Sequence, residues 1–156
     1  MMTDNVANKA RMLCREIMTT AIKTADRNMS IGEAAAMLRD SDVGALPVAE
    51  SGKLIGIITD RDIVVRAIAD GKGSETPVAE AMTTELFTVR PDDFAFEAIR
   101  LMGDKQVRRI PVTNAEGGLE GIIAMADIVL EIEDEREIAE TLEEISSGSA
   151  FWGKNQ

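Results

Sequence analysis

Histidine and tyrosine are absent from this chain, and cysteine and tryptophan occur once each. Each absence removes a class of chemistry. Without histidine there is no Ser-His-Asp or Cys-His catalysis and no histidine-containing zinc site. The single cysteine, Cys14, excludes an intrachain disulfide and any CxxC pair. Aromatics make up only 3% of the residues, so a stacking platform for nucleic-acid bases is not expected. No run approaches the roughly 18 apolar residues of a membrane-spanning helix. The start, MMTDNVANKARMLCREIM, lacks the apolar core of a secretory signal. The expectation is a cytoplasmic protein with no membrane partner.

What is present points to a self-sufficient folded chain. Of 156 residues, 45% are hydrophobic and 29% charged, too apolar for a disordered chain and long enough to bury a core. The net charge of −11 is unevenly placed: residues 131–145, EIEDEREIAETLEEI, hold eight acids and one arginine. The long-range field repels nucleic acid and anionic membranes, so neither is an expected partner. Residues 127–145 read as a long helix with one narrow apolar stripe, Ile138, Leu142 and Ile145. Its acids form a solvated face, and its stripe is expected to pack in a homodimer. The nine methionines read as core filler and Cys14 as a small buried hydrophobe.

The sequence repeats itself. MTTAIKTADRNMSIGEAAAMLRDSDVGALPVAESGKLIGIITDRDIV, from Met18, matches MTTELFTVRPDDFAFEAIRLMGDKQVRRIPVTNAEGGLEGIIAMADIV, from Met82. Met18-Thr19-Thr20 falls on Met82-Thr83-Thr84, Pro47-Val48 on Pro111-Val112, Gly56-Ile57-Ile58 on Gly121-Ile122-Ile123, and Asp62-Ile63-Val64 on Asp127-Ile128-Val129. Two copies argue for a pseudo-twofold pair rather than a solenoid.

Each copy reads as β-α-β-β-α. Extended pieces, Ile22–Ala25 and Leu86–Val89, lead in. Ser30 with Glu33 is a capping-box start, and Ile31, Ala34, Ala35 and Leu38 keep helical spacing; Ala95, Ala98, Ile99 and Met102 do the same in the second copy. Two short strands follow, Ala45–Ala49 and Leu54–Thr59, joined at Glu50-Ser51-Gly52-Lys53; their counterparts are Ile110–Thr113 and Leu119–Ala124, joined through Gly117-Gly118. Second helices start at Asp60 and Ala126. The predicted fold class is α/β (α+β), built from two pseudo-twofold-related repeats packed into one module. The predicted organisation is a helical lead-in over 1–17, the first copy over 18–70, a linker over 71–79, the second copy over 80–132, and an acidic helix and flexible tail over 133–156.

These motifs resemble a pair of cystathionine-β-synthase (CBS) domains, a Bateman module, over about residues 14–132, with nothing recognisable as a catalytic or transport domain attached. The resemblance implies a stand-alone regulatory module that binds adenine nucleotides or related adenosine compounds between the repeats and associates as a flat homodimer. The ligand motif of that family falls on Gly56-Ile57-Ile58-Thr59-Asp60-Arg61-Asp62. The backbone N–H groups and positive dipole end at the strand-to-helix turn suit a phosphate, with the Thr59 hydroxyl adding a hydrogen bond. The Asp62 carboxylate suits two ribose hydroxyls, and Ile57 an adenine wall. The same Thr59–Asp62 spacing is also a plain capping box, and the two readings are compatible. The second copy keeps Asp127 but has Ala124 in place of the hydroxyl, so its cleft is the poorer one.

The family places the residues before one copy's Pro-Val strand in the cleft of the other copy's motif. Val107, Arg108 and Arg109 would then face Thr59 and Asp62, with guanidinium groups for ligand phosphate. Alternation along a strand points the two arginines to opposite faces, which leaves one as a surface charge. The first copy has Val43-Gly44-Ala45 there and no charge. Arg61 and Arg66 are either phosphate ligands or helix-face charges. The functional expectation is a regulatory sensor of AMP, ADP, ATP, NAD or S-adenosylmethionine, without metal or catalysis, that acts on a partner protein. The alternative is a structural adapter with vestigial clefts, whose acidic helix binds the partner.

Overall fold

The computed structural model describes residues 11–131 and Glu143. The stripe residues Ile138, Leu142 and Ile145, and the first ten residues of the predicted lead-in, lie outside the described residues. Of the lead-in helix one turn is described, α1 (Cys14–Ile17).

Ser30 starts α2 (Ile31–Ser41) by accepting the Glu33 N–H on its hydroxyl at 3.1 Å. Two more free donors of that first turn are taken by the linker: Ile31 N–H donates to Thr76 O at 2.8 Å and Gly32 N–H to Ser74 O at 2.9 Å. Ile31, Ala34 and Leu38 face inward as their spacing predicts, but Ala35 is exposed. The apolar stripe is therefore one position narrower than its i, i+3, i+4, i+7 pattern. The equivalent helix α4 (Ala95–Lys105) starts at Phe94 without a side-chain cap, and Ala95, Ala98, Ile99 and Met102 are all buried. Both helices end on a non-glycine residue in the left-handed region, Asp42 (φ 52) and Gln106 (φ 57), at matching places in the repeat.

After α2 comes the antiparallel hairpin β1 (Ala45–Glu50) and β2 (Lys53–Thr59), paired from Ala45 with Thr59 to Glu50 with Lys53, with an irregularity at Val48/Ala49. Both residues of its two-residue turn are left-handed, Ser51 at φ 53 and Gly52 at φ 79, the condition of a type I′ turn. In the second copy β3 (Arg109–Thr113) and β4 (Leu119–Ala124) make another two-stranded sheet. The lead-in pieces add one parallel bridge to each sheet. Ala25 N–H donates to Pro47 O at 2.9 Å and Val89 N–H to Pro111 O at 3.1 Å. The prolines lack an N–H of their own, yet their carbonyls serve the neighbouring chain.

The second helices differ from the simple reading. α3 (Asp60–Asp62) is one turn, and the chain continues as a π-helix over Ile63–Ile68. The widening shows in Ala69 N–H donating to Val64 O at 2.9 Å. In the second copy α5 (Met125–Glu131) begins one residue before the expected Ala126. Between the copies, Val78–Glu80 forms a short 3-10 turn. The 71–79 linker is bound down on the first copy. Besides its bonds to α2, Val78 N–H donates to Met29 O at 2.7 Å and Ala79 N–H to Arg27 O at 2.9 Å.

Two compact units result. One contains Ile22–Leu86 with Glu116–Leu119; the other contains the described residues up to Ala21, Phe87–Ala115, and those from Glu120. Each has its own core. In the first, Ile31, Leu38, Leu46, Val48, Ile58, Ile63, Val78 and Ala81 pack together. In the second, Cys14, Ile99, Met102, Ile110, Val112, Ile123 and Ile128 do so. Burial of each such aliphatic side chain contributes about 1.5–3 kcal/mol.

The Met-Thr-Thr segments are exchanged relative to chain order. Thr19 bridges Ile122 on β4, and Thr83 bridges Ile57 on β2. The glycine before each Ile-Ile pair makes room for that exchange. A Cβ at Gly56 would stand 2.7 Å from Met82 Sδ, and one at Gly121 2.5 Å from Met18 Sδ. The repeated Met and the repeated Gly therefore form one packing unit.

Candidate functional site

Thr59 is the last residue of β2 and the N-cap of α3, with extended φ −117 and ψ 162. The cap is reciprocal. Asp62 N–H donates to Thr59 Oγ1 at 2.9 Å, and Thr59 N–H donates to Asp62 Oδ2 at 3.1 Å. The capping box is therefore formed, and it accounts for the Thr59–Asp62 spacing as local structure. It also orients the carboxylate of Asp62, a residue only 8% exposed.

Two further groups meet that carboxylate. The Thr83 hydroxyl donates to it at 3.3 Å from either oxygen, and Arg66 Nε lies 3.6 Å from Oδ1. Arg66 also donates through Nη1 to Met82 O at 3.2 Å. Of the two roles left open for Arg66, the structure assigns it contacts with Asp62 and the Met82 backbone. Ile57 is half-buried, and its backbone exchanges two hydrogen bonds with Thr83, at 2.8 and 2.9 Å. The Asp60 N–H donates to Gly44 O at 3.1 Å, which ties the start of α3 to the residue before β1.

The second copy repeats this frame with weaker chemistry. Asp127 is half-buried and accepts the Ala124 N–H at 3.4 Å, a long bond, with no hydroxyl at Ala124 to return it. Met125 N–H donates to Arg108 O at 2.8 Å, the counterpart of the Asp60–Gly44 bond. Arg108 thus sits by its backbone beside the Ala124–Asp127 turn. Its side chain is exposed, Arg109 at the start of β3 is half-buried, and Val107 packs on the core.

The structure brings Ile57, Thr59 and Asp62 together in one compact unit, and Val107, Arg108, Arg109 and Asp127 in the other. Sequence reasoning missed Thr83 and Arg66 at the carboxylate. The signal was present, since Thr83 belongs to the repeated Met-Thr-Thr, but that motif had been given no role.

Elsewhere, Cys14 is fully buried, and its thiol is pushed up to about 12 by burial and then by Asp93 and Glu97. It stays protonated and unreactive at neutral pH. An open groove of about 290 Å³ beside α4 is lined by Asp93, Glu97, Arg100 and Asp104 among others, and holds none of the candidate ligand residues. Among the described residues no cluster of three Cys, Asp or Glu can hold a metal ion, and no helix is long and apolar enough to cross a membrane.

Known proteins share this architecture. The chain is 40% identical over 116 residues to the CBS domain-containing protein YhcV of Bacillus subtilis, covering 74% of this chain and 82% of that protein. The crystal structure of Hypoxic Response Protein I, solved with two coordinated zinc ions, superposes with a TM-score of 0.70 at 32% identity, covering 78% of this chain and 99% of that one. The CBS domain pair of protein MJ0100, solved with 5′-methylthioadenosine and S-adenosyl-L-methionine, gives a TM-score of 0.68 at 30% identity, covering 76% and 94%. The CBS domain family model matches residues 14–68 and 78–134, one match on each copy of the repeat. The chain belongs to the CBS-domain family and carries the domain twice, as a tandem pair.

Proposed function

We propose that this chain is a regulatory module that senses an adenosine-containing ligand: AMP, ADP, ATP, NAD or S-adenosylmethionine. CBS pairs are ligand-binding regulatory modules, and the structurally similar pair of MJ0100 holds two adenosine compounds. The observation that carries the reading is the Thr59–Asp62 turn. It sets an oriented carboxylate and a hydroxyl at a strand-to-helix junction of a CBS repeat. Asp62 takes the ribose hydroxyls, Ile57 walls the base, and the Thr59 hydroxyl meets phosphate. In the second copy Val107 offers an apolar contact, and Arg108 and Arg109 offer cationic groups that select for phosphorylated compounds. Asp127 serves a second, weaker site without a hydroxyl beside it. The role of both sets is sensing rather than catalysis. The module works as a cytoplasmic homodimer and passes ligand occupancy to a partner protein.

A thermal-shift panel with the five compounds tests this. Ligand at about 100 times its dissociation constant adds about 2.7 kcal/mol, a rise of several degrees for a chain of this size. If no adenosine compound at millimolar concentration moves the melting temperature, the sensor reading fails and an adapter with empty clefts replaces it.

A further inference from the structure

From the contacts around Asp62 we infer that Thr83 is a displaceable latch on the ligand carboxylate: hydroxyls that engage Asp62 release Thr83 and loosen the Met82–Leu86 segment. This rests on the proposed role of Asp62 as the ribose acceptor and adds the route by which occupancy leaves the site.

Asp62 is engaged by groups of the protein itself. The Thr59 N–H takes one lone pair of Oδ2, Arg66 sits 3.6 Å from Oδ1, and the Thr83 hydroxyl is shared between both oxygens at 3.3 Å. A carboxylate offers about four acceptor positions. A vicinal diol needs one on each oxygen, the arrangement that Thr83 occupies. The Thr59 bond belongs to the helix cap and is the shorter at 3.1 Å, whereas the Thr83 bond is long, bifurcated and made by a rotatable hydroxyl. A competing diol therefore displaces Thr83 first.

Thr83 is well placed to report that displacement. Its backbone forms the bridge to Ile57, and Met82 is held by Arg66 through its carbonyl. The chain passes from one compact unit to the other directly after Leu86. Release of Thr83 acts on a part of the Asp62 network that leads by chain connectivity into the other compact unit within a few residues. The counterpart arrangement is incomplete in the second copy, where Glu131 replaces Arg66 and Ala124 replaces Thr59.

The test uses adenosine, which carries the adenine and ribose diol common to all five candidates, beside 2′,3′-dideoxyadenosine, which lacks the diol. Amide hydrogen exchange at Ile57 and Thr83 and the affinity for adenosine are measured in the wild type, Thr83→Val and Thr83→Ser. Without ligand, Thr83→Val exchanges several-fold faster at both amides, while Thr83→Ser, which keeps the hydroxyl, matches the wild type. Adenosine speeds exchange at Thr83 in the wild type and the dideoxy compound does not. Thr83→Val binds adenosine about 2- to 10-fold more tightly, because no hydroxyl competes for the carboxylate. Weaker binding by Thr83→Val, or slower exchange at Thr83 on adding adenosine, overturns the latch. Unchanged exchange in ligand-free Thr83→Val removes the tether and leaves the sensor reading standing. Failure of every protein to bind adenosine, with the tether effect intact, removes the ribose role of Asp62 and with it the displacement.

Discussion

At Asp62, substitution by alanine would leave the Thr59 N–H and the Thr83 hydroxyl without an acceptor in a nearly buried place, a loss of about 1–3 kcal/mol in stability. Asparagine keeps an acceptor oxygen and removes the charge, so it separates ligand binding from folding. Glycine carries a different kind of constraint. A Cβ on Gly121 would lie 3.0 Å from the Cβ of Met18 as well as against its sulfur. Gly121→Ala should therefore cost about 1–3 kcal/mol by overpacking, read as a lower urea midpoint with an unchanged slope. Met18→Ala in the same chain should return part of that loss. A Gly121→Ala protein as stable as the wild type contradicts the Met–Gly interlock.

The elements show what the sequence makes legible and what it does not. The Ala95, Ala98, Ile99, Met102 spacing marked the buried face of α4 correctly, because a helix that borders one core buries one stripe. The turn between β1 and β2 was legible because Ser51-Gly52 tolerates two left-handed residues. The capping box at Thr59 was legible for a local reason, its partners being three residues apart. The change from α3 to a π-helix was not, since Ile63–Ile68 contains no glycine or proline to mark it. Nor was the placing of Thr83 against Asp62, 21 residues away. That contact depends on which strand the Met-Thr-Thr segment joins, and pattern within one segment does not fix its tertiary partner. The same holds for the pairing of Met18 with Gly121. Both repeats showed the two residues, but only the fold shows that each methionine covers the glycine of the other copy.

For the whole molecule, the π-helical turn leaves Val64, Val65 and Ile68 58%, 49% and 54% exposed on one side. Three neighbouring aliphatic side chains in water are a feature of surfaces that meet another protein. We expect a homodimer of about 34 kDa, twice the 16.9 kDa chain. Light scattering should return that mass at tens of micromolar, and Val65→Glu should shift it toward the monomer. A monomeric wild type contradicts the assembly. The central claim is that the Thr59–Asp62 turn holds the ribose and phosphate of an adenosine ligand and that the Ala124–Asp127 turn contributes less. Calorimetric titration of wild type, Asp62→Asn, Arg108→Ala and Asp127→Ala with AMP tests it most directly. A lost charge-assisted contact corresponds to about 5- to 150-fold in affinity. The account predicts losses of that order for Asp62→Asn and Arg108→Ala and little change for Asp127→Ala. A large loss at Asp127 alone, with Asp62→Asn and Arg108→Ala binding as the wild type does, would contradict it.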